Sequence, residues 1–461
     1  MSKKSRFFLF FLLALHLGIL AGTSFTAWPE MFSYPYLFSN KFRLYTDFVY
    51  PYPPLLTLIL AGAFKIFGFN VLTLKAVAWS FILASDVFLF LIVKKILKKE
   101  FLAFLLLIPY LVLQSFLDGN MLWFDNALVL PLVAAIYFLV SWVNEKKAQS
   151  LFWASLFLTL GVFIKQTAAI YFLVFIVSYY LIRKRIVWKE IVKIILPPAV
   201  GGGVFLIYLL INGSLNDFWL WSFYYPLTFW SKFPGYQDLA LTLREKFVFG
   251  VIIVPFLVAF LLKKKIIKDK MFLILLTFLG ASILAVYPRF SYFHLQPFFA
   301  IAFIGFTVTL AQIKNTWYLG LIAVVVLMAT YPAFNYSFGG SVRFNGEEDQ
   351  KVVKMISDSS QKKERVYLFG LFSSAYAFSD RLPPKPWADN FGWYFEIPGW
   401  QEKTISGFEK DLPDKIFYKI PERGNWFDLG VYRPQKLVDY MNKYYYRDSE
   451  PTNGIELWVR K

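Results

Sequence analysis

The chain has 461 residues, of which 58% are hydrophobic and 21% aromatic, with a mean hydropathy of +0.52. That apolar share exceeds the roughly 45–50% of a soluble globular domain and marks a polytopic membrane protein. A net charge of +18 raises nucleic acid as a partner, but Lys and Arg stand in short clusters between apolar runs and not on one polar face, so the charge reads as topology and no nucleic acid is expected. With no Cys and two His, His16 and His294, neither a disulfide nor a thiolate or His-rich metal site can form.

From the N-terminus, "MSKKSRFFLFFLLALHLGILAGTS" has the basic start and apolar core shared by signal peptides and retained first spans; the retained span is the favoured reading. Apolar segments then recur to about residue 333, each a candidate spanning helix against the ~20 residues a bilayer needs. Basic clusters separate them at Lys3, Lys4 and Arg6, at "KKILKKE" (94–100), at Lys146 and Lys147, at "RKRIVWKE" (183–190), at "KKKIIKDK" (263–270) and at Lys314. The positive-inside rule assigns all of these to the cytoplasm, with the N-terminus. If 54–68 crossed the membrane, "KKILKKE" would emerge outside. Read instead as a juxtamembrane helix started by its Pro pair, it leaves about eleven spans that satisfy every cluster: 7–23, 71–93, 101–117, 126–143, 151–164, 166–182, 191–211, 246–262, 271–286, 297–313 and 316–333.

The outward segments are then about 24–70, 118–125, a tight turn at 165, 212–245, 287–296 and everything beyond 334. The tail is less apolar and carries acids and spaced Pro; "RVYLFGLF" and "PDKIFYKI" predict strands, "GEEDQKVVKMISDS" and "RPQKLVDYMNKYY" helices. The predicted fold is an all-α polytopic membrane domain, 1–333, followed by a small extracytoplasmic α/β domain, 334–461.

The polar residues that call for explanation lie on those outward segments. Asp47 precedes "YPPLLTLILAGAFKIFG", and "LDGNMLWFDNALVLP" carries Asp118 and Asp125. A partly dehydrated carboxylate keeps a raised pKa and the basicity needed to take a proton from a hydroxyl. Paired carboxylates also suit a divalent cation, and lone ones cap helices; Asp118 fits a cap or a solvated loop best, while Asp47 has no obvious helix to cap. Lys165, at the top of two short spans, needs water or an anion, so it is a candidate phosphate ligand beside Gln166, with snorkelling as the plain alternative. "VYPRFSYFHLQPFF" places Arg289, Tyr292, His294 and Gln296 in one outward turn, where the planar fork of Arg289 suits phosphate. Tyr50, next to Asp47, completes the candidate substrate contacts. Asp86, deep in a span, demands a partner, and a structural hydrogen bond is favoured over a proton relay. "NGS" (212–214) and "NYS" (335–337) are weak matches to glycosylation acceptors, and no P-loop, dinucleotide fingerprint or nucleophile elbow is present.

One outward acid in a long first loop, a Pro-Pro helix after it, an acid opening a span in "WFDNALVLP", a Lys in the hairpin "GVFIKQTAAIYFL", and "PRFSYFHLQPFFAIA" together resemble the GT-C membrane glycosyltransferases, in the branch of protein O-mannosyltransferases and aminoarabinose transferases. The resemblance covers about 1–333 in layout, and "LFGLFSSAYAFSDRLPP" with the closing "LVDYMNKYYYRDSEPTNGIELWVRK" looks like that branch's outer domain. It implies transfer of a sugar from a polyprenyl-phosphate donor to a lipid, glycan or protein acceptor on the outer face of the cytoplasmic membrane, with inversion. Asp47 would be the general base, Asp125 the supporting second-loop acid, and Arg289 with Lys165 or His294 would neutralise the departing phosphate. The aromatic loop 218–237 would cover sugar and isoprenoid, unless its Trp and Tyr form an interfacial belt. Some relatives place an acid and a Lys before the Pro pair; here Pro51 and Tyr52 stand there, so no metal role carries over and no cofactor is firmly expected. A lipid flippase and a polysaccharide polymerase or ligase are the competing classes. The missing internal repeat and the sizeable tail speak against the flippase.

Overall fold

The computed structural model describes residues 2–419, 433–448, 452 and 454–461. A helix forms on each of the eleven predicted spans: Lys3–Gly22, Val71–Leu97, Glu100–Gln114, Phe124–Glu145, Ala148–Ile164, Ala169–Arg183, Trp188–Ile211, Leu243–Leu262, Lys270–Leu284, Gln296–Ile313 and Trp317–Ser337. Counting the short helical turns that extend two of them, nine among the described residues are long and apolar enough to cross a membrane. Ala148–Ile164 and Lys270–Leu284 have 17 and 15 residues. At 1.5 Å per residue they reach only ~25 and ~22 Å, short of the roughly 30 Å hydrocarbon core. The basic clusters also end helices: Lys146, Lys184 and Lys314 each take the left-handed conformation at a C-terminus, where a cation complements the helix dipole.

The chain divides into two compact units. The first comprises Met1–Thr26, Lys75–Phe205 and Leu239–Ser341. At its centre Gln296–Ile313 is buried all round, every residue from Gln296 to Leu310 being enclosed, and Phe124–Glu145 is nearly so. Trp188–Ile211 and Leu243–Leu262 instead turn Val192, Ile195, Val200, Val204, Leu257 and Leu261 outward, a surface that only lipid can cover at this length. The protein is thus a multi-pass membrane protein. Asp86 finds its partner in His16, whose Nδ1 lies 2.6 Å from Oδ2, while Nε2 of the same ring lies 3.0 Å from Gln114 Oε1. That is the structural hydrogen bond expected of a buried intramembrane acid.

The second unit gathers Ala27–Leu74, Leu206–Asp238 and Val342–Lys461, so the tail folds together with two of the outward loops. Its four-stranded sheet runs Val366–Phe369, Lys415–Lys419, Ile455–Arg460, Tyr445–Arg447, the first pair parallel and the others antiparallel. Helices Glu347–Ser359 and Gln435–Tyr444 form where predicted, as do the first two strands; Ile420, the end of the second prediction, lies outside the described residues. The last two strands, "YYR" and "IELWVR", were not predicted, because three and six residues of mixed polarity carry little alternation.

The helix Leu55–Phe67 starts after Pro54 and is too short, at 13 residues, to cross. It buries Leu56, Leu60 and Phe64 at a spacing of four and packs on Glu30–Ser39, leaving Leu58, Ile66 and Phe67 exposed. In the loop 206–238, Trp221 Nε1 donates to Tyr45 O at 3.1 Å and its ring meets Trp400 edge-on, while Trp230 packs on Tyr394. Those two Trp are anchors; Trp219, Tyr224 and Leu227 of the predicted covering segment stay exposed.

Candidate active site

Each unit carries one cluster of the predicted site residues. In the second unit, aromatic and Pro residues of "LYTDFVYPYPP" make a rigid loop. Tyr45 sits at φ 73°, a conformation costly for a bulky residue, and is held there by full burial and by its hydroxyl donating to Tyr52 O at 2.9 Å. Two residues on, the Asp47 carboxylate accepts four N–H bonds. Oδ2 takes Arg43 N at 2.9 Å and Lys385 Nζ at 2.8 Å; Oδ1 takes Arg43 Nε at 3.3 Å and Nη2 at 3.1 Å. The backbone is fastened to the same tail segment, Trp387 N donating to Asp47 O at 3.0 Å and Val49 N to Trp387 O at 2.8 Å. Burial pushes the Asp47 carboxyl up, but the Arg43 backbone N–H, Lys385 and the Arg43 guanidinium outweigh it and hold the group below its ordinary value. The expectation of a raised pKa is thereby corrected: the desolvation is present, but cationic donors dominate it. Tyr50 is corrected too. It is fully buried, with its hydroxyl engaged by Thr57 Oγ1 at 2.8 Å and Pro53 O at 3.2 Å, so it braces the loop and offers a substrate no surface.

In the first unit, Asp125 enters in the first turn of Phe124–Glu145, behind Trp123 as N-cap. It does not cap. Lys165 Nζ donates to Oδ1 at 2.7 Å and Oδ2 at 2.8 Å, and His294 Nδ1 lies 2.6 Å from Oδ2. All three are buried or nearly so. Lys165 gets there because it terminates Ala148–Ile164, whose Gly161 lets that helix come close to its neighbour: a Cβ on Gly161 would stand 3.0 Å from Leu128 Cδ1. Burial lowers the His294 pKa; Asp125 pulls it back up, and Lys165 and Arg289 add to the lowering, leaving it below the ordinary value. The imidazole is therefore neutral at neutral pH, donating Nδ1–H to Asp125 and keeping a lone pair on Nε2. Asp125 and Lys165 neutralise each other, and Arg289, half-buried, lies close enough to His294 to be felt there. His294 is thus a hydrogen-bonding group and not the cation expected. Gln166 opens the short turn Gln166–Ala168 directly after Lys165. Asp118 is exposed, at φ 53° in the turn Ser115–Gly119.

A divalent cation does not fit these donors. Both oxygens of Asp125 face Lys165, both oxygens of Asp47 face Arg43 or Lys385, and no group of three or more His, Asp or Glu converges among the described residues. The positive charge a metal would bring is already supplied by side chains.

Sequence reasoning missed Arg43 and Lys385. Arg43 carried a signal, as a base four residues before Asp47 on a loop otherwise short of them; Lys385 carried none, being 338 residues away. It also missed a buried acid pair in the second unit, Glu30 and Asp389, beside a cavity of about 190 Å³ lined by Trp28, Phe344, Phe372 and Ser373. Ser373 Oγ donates to Asp389 Oδ2 at 2.6 Å, whereas Glu30 Oε2 has no partner among the described residues. Burial, with the neighbouring Asp389, pushes Glu30 up to about 8, and burial raises Asp389 to about 6.

Residues 52–213, about a third of the chain, match the dolichyl-phosphate-mannose-protein mannosyltransferase family. No curated protein sequence matches the chain. Among solved structures, ArnT from Cupriavidus metallidurans in the apo state superposes with a TM-score of 0.63 at 10% identity, over 97% of each chain. The same protein bound to undecaprenyl phosphate gives 0.61 at 10% identity, over 98% of this chain and 97% of that one. The oligosaccharyltransferase AglB from Archaeoglobus fulgidus, in complex with an inhibitory peptide and a dolichol-phosphate, gives 0.53 at 11% identity, over 100% of this chain and 75% of that one. At such identities the structural likeness is one of fold. Residues 52–213 are thus similar in sequence to that mannosyltransferase family, and the whole chain is similar in fold to ArnT and AglB.

Proposed function

We propose that the protein moves a sugar, hexose or pentose, from a polyprenyl-phosphate donor to a hydroxyl of a lipid, glycan or protein acceptor, at the outer face of the cytoplasmic membrane. Asp47 takes the hydroxyl proton while the acceptor oxygen attacks the anomeric carbon; the bond from that carbon to phosphate breaks, its electron pair leaves with the polyprenyl phosphate, and configuration inverts. Arg289 meets the charge that grows on the leaving phosphate, a task for which a permanently charged, planar guanidinium fork is well suited. Asp125 and Lys165 hold His294 and the turn at Gln166 in place for the donor. The orientation assigned is N-terminus in the cytoplasm, tail outside, as the basic clusters require.

The observation that carries this reading is the Asp47 carboxylate, held ionised on a rigid loop in a chain of this fold. The test is transfer or slow hydrolysis of radiolabelled undecaprenyl-phosphate hexoses and pentoses by the purified protein in lipid, wild type beside Asp47→Asn. Turnover with one donor, reduced at least ~100-fold by the substitution while donor binding persists, is expected. Undiminished turnover in Asp47→Asn would remove the base assignment.

A further inference from the structure

Asp47 holds as many hydrogen bonds as a carboxylate accepts. Its two oxygens present about four lone-pair directions, and the four N–H groups of Arg43 and Lys385 take them. An incoming hydroxyl can bond to the base only after a donor leaves. The four donors are not equivalent. The Arg43 N–H is fixed by a turn in which Asp47 N returns a bond to Arg43 O at 3.0 Å, and the guanidinium is a planar fork on one oxygen. Lys385 makes one bond, through a rotatable ammonium on a flexible stem, with its side chain 34% exposed and the face of Phe42 4.3 Å away. It can swing into water without moving any backbone; the fastening of the loop to Trp387 survives its departure.

We propose that Lys385 is a displaceable cap on Asp47, holding the carboxylate aimed while no acceptor is bound and ceding its place on Oδ2 to the acceptor hydroxyl. This rests on the reading of Asp47 as the base. Lys385 acts through Asp47 and is a positioning residue. Departure of the ammonium removes a cation from the carboxylate at the moment a proton must be taken, so acceptor arrival and basicity rise together. The cap also guards the donor. With Oδ2 open, a water molecule can give its proton to Asp47 and its oxygen to the anomeric carbon, releasing free sugar and polyprenyl phosphate.

The experiment compares wild type, Lys385→Met, Lys385→Arg and Asp47→Asn in lipid nanodiscs, following hydrolysis of the undecaprenyl-phosphate sugar without acceptor. Lys385→Met should raise hydrolysis several-fold, Lys385→Arg should lower it because a fork grips the carboxylate more firmly, and Asp47→Asn should abolish it. A fall in Lys385→Met overturns the cap, since a merely structural lysine gives that result. Full hydrolysis by Asp47→Asn overturns the base assignment instead, a separate outcome. If no donor is hydrolysed, carbodiimide coupling to Asp47, read by peptide mass spectrometry, decides: faster coupling in Lys385→Met and no faster in Lys385→Arg supports the cap, and equal rates in both and in wild type overturn it. Should Lys385→Met not fold, a Lys385→Arg protein with wild-type hydrolysis and coupling overturns it alone.

Discussion

Three carboxylates in this chain show how local company decides what an acid does. Asp47 meets four N–H groups and stays ionised; Asp125 meets a lysine and a histidine and is locked in place; Glu30 meets another acid and holds its proton. Glu30 gives a pH prediction whose sign follows from linkage. Its folded pKa, about 8, lies above the ordinary 4.5, so between those values the folded chain binds more protons than the unfolded one, and stability falls as pH rises through that window. Glu30→Gln should remove most of that slope, melting close to wild type at pH 5 and several degrees higher at pH 8. Parallel melting curves for the two proteins from pH 5 to 8 would show that the burial of Glu30 is relieved in solution. Of these acids, Asp47 and Asp125 stood out in the sequence because each adjoins an apolar run on an outward segment; Glu30 did not, since "WPEMFSYPY" resembles any amphipathic loop until Asp389 is folded against it.

Among the elements, the short helix Ala148–Ile164 has the largest bearing on the site. Its length leaves Lys165 at membrane depth, and Gly161 allows the approach to Phe124–Glu145 that brings the ammonium onto Asp125. A methyl at 161 presses mainly on the tip of Leu128, which can turn aside, and Ala favours the helix by about 1 kcal/mol over Gly, so Gly161→Ala should change stability by no more than ~1 kcal/mol. Gly161→Leu cannot be absorbed in that way. It should cost about 1–3 kcal/mol in thermal unfolding and lower transfer by pulling Lys165 from Asp125. Wild-type transfer by Gly161→Leu would show that the close approach does not serve the site. The shortness of this helix was legible from spacing alone, but its partner was not, because hydrophobic periodicity says which face is buried and not against what.

For the whole molecule, the tail is part of the unit that holds the Asp47 loop and not an appendage. It shares a compact unit with the loop of Asp47 and supplies Lys385 and both backbone bonds from Trp387. Truncation after Ser341 should leave a bundle that still inserts into membranes, since the apolar helices lie upstream, but one without turnover and with the 43–50 loop open to protease. Limited proteolysis beside the donor assay checks both; a truncated protein that turns over donor would mean that the loop holds its shape unaided.

The helices on the eleven apolar spans, their lipid-facing character, the shortness of Ala148–Ile164 and the α/β nature of the tail were all determined by the sequence itself. Each follows from composition and periodicity within a stretch of chain, where the energy of burying apolar surface is local and repetitive. The partners of Asp47 and Asp125, the low pKa of the first and the neutral imidazole beside the second were decided only by tertiary structure. A hydrogen bond needs an N–H within about 3 Å of its acceptor, and residues 338 or 169 positions apart carry no trace of that proximity until the chain is folded.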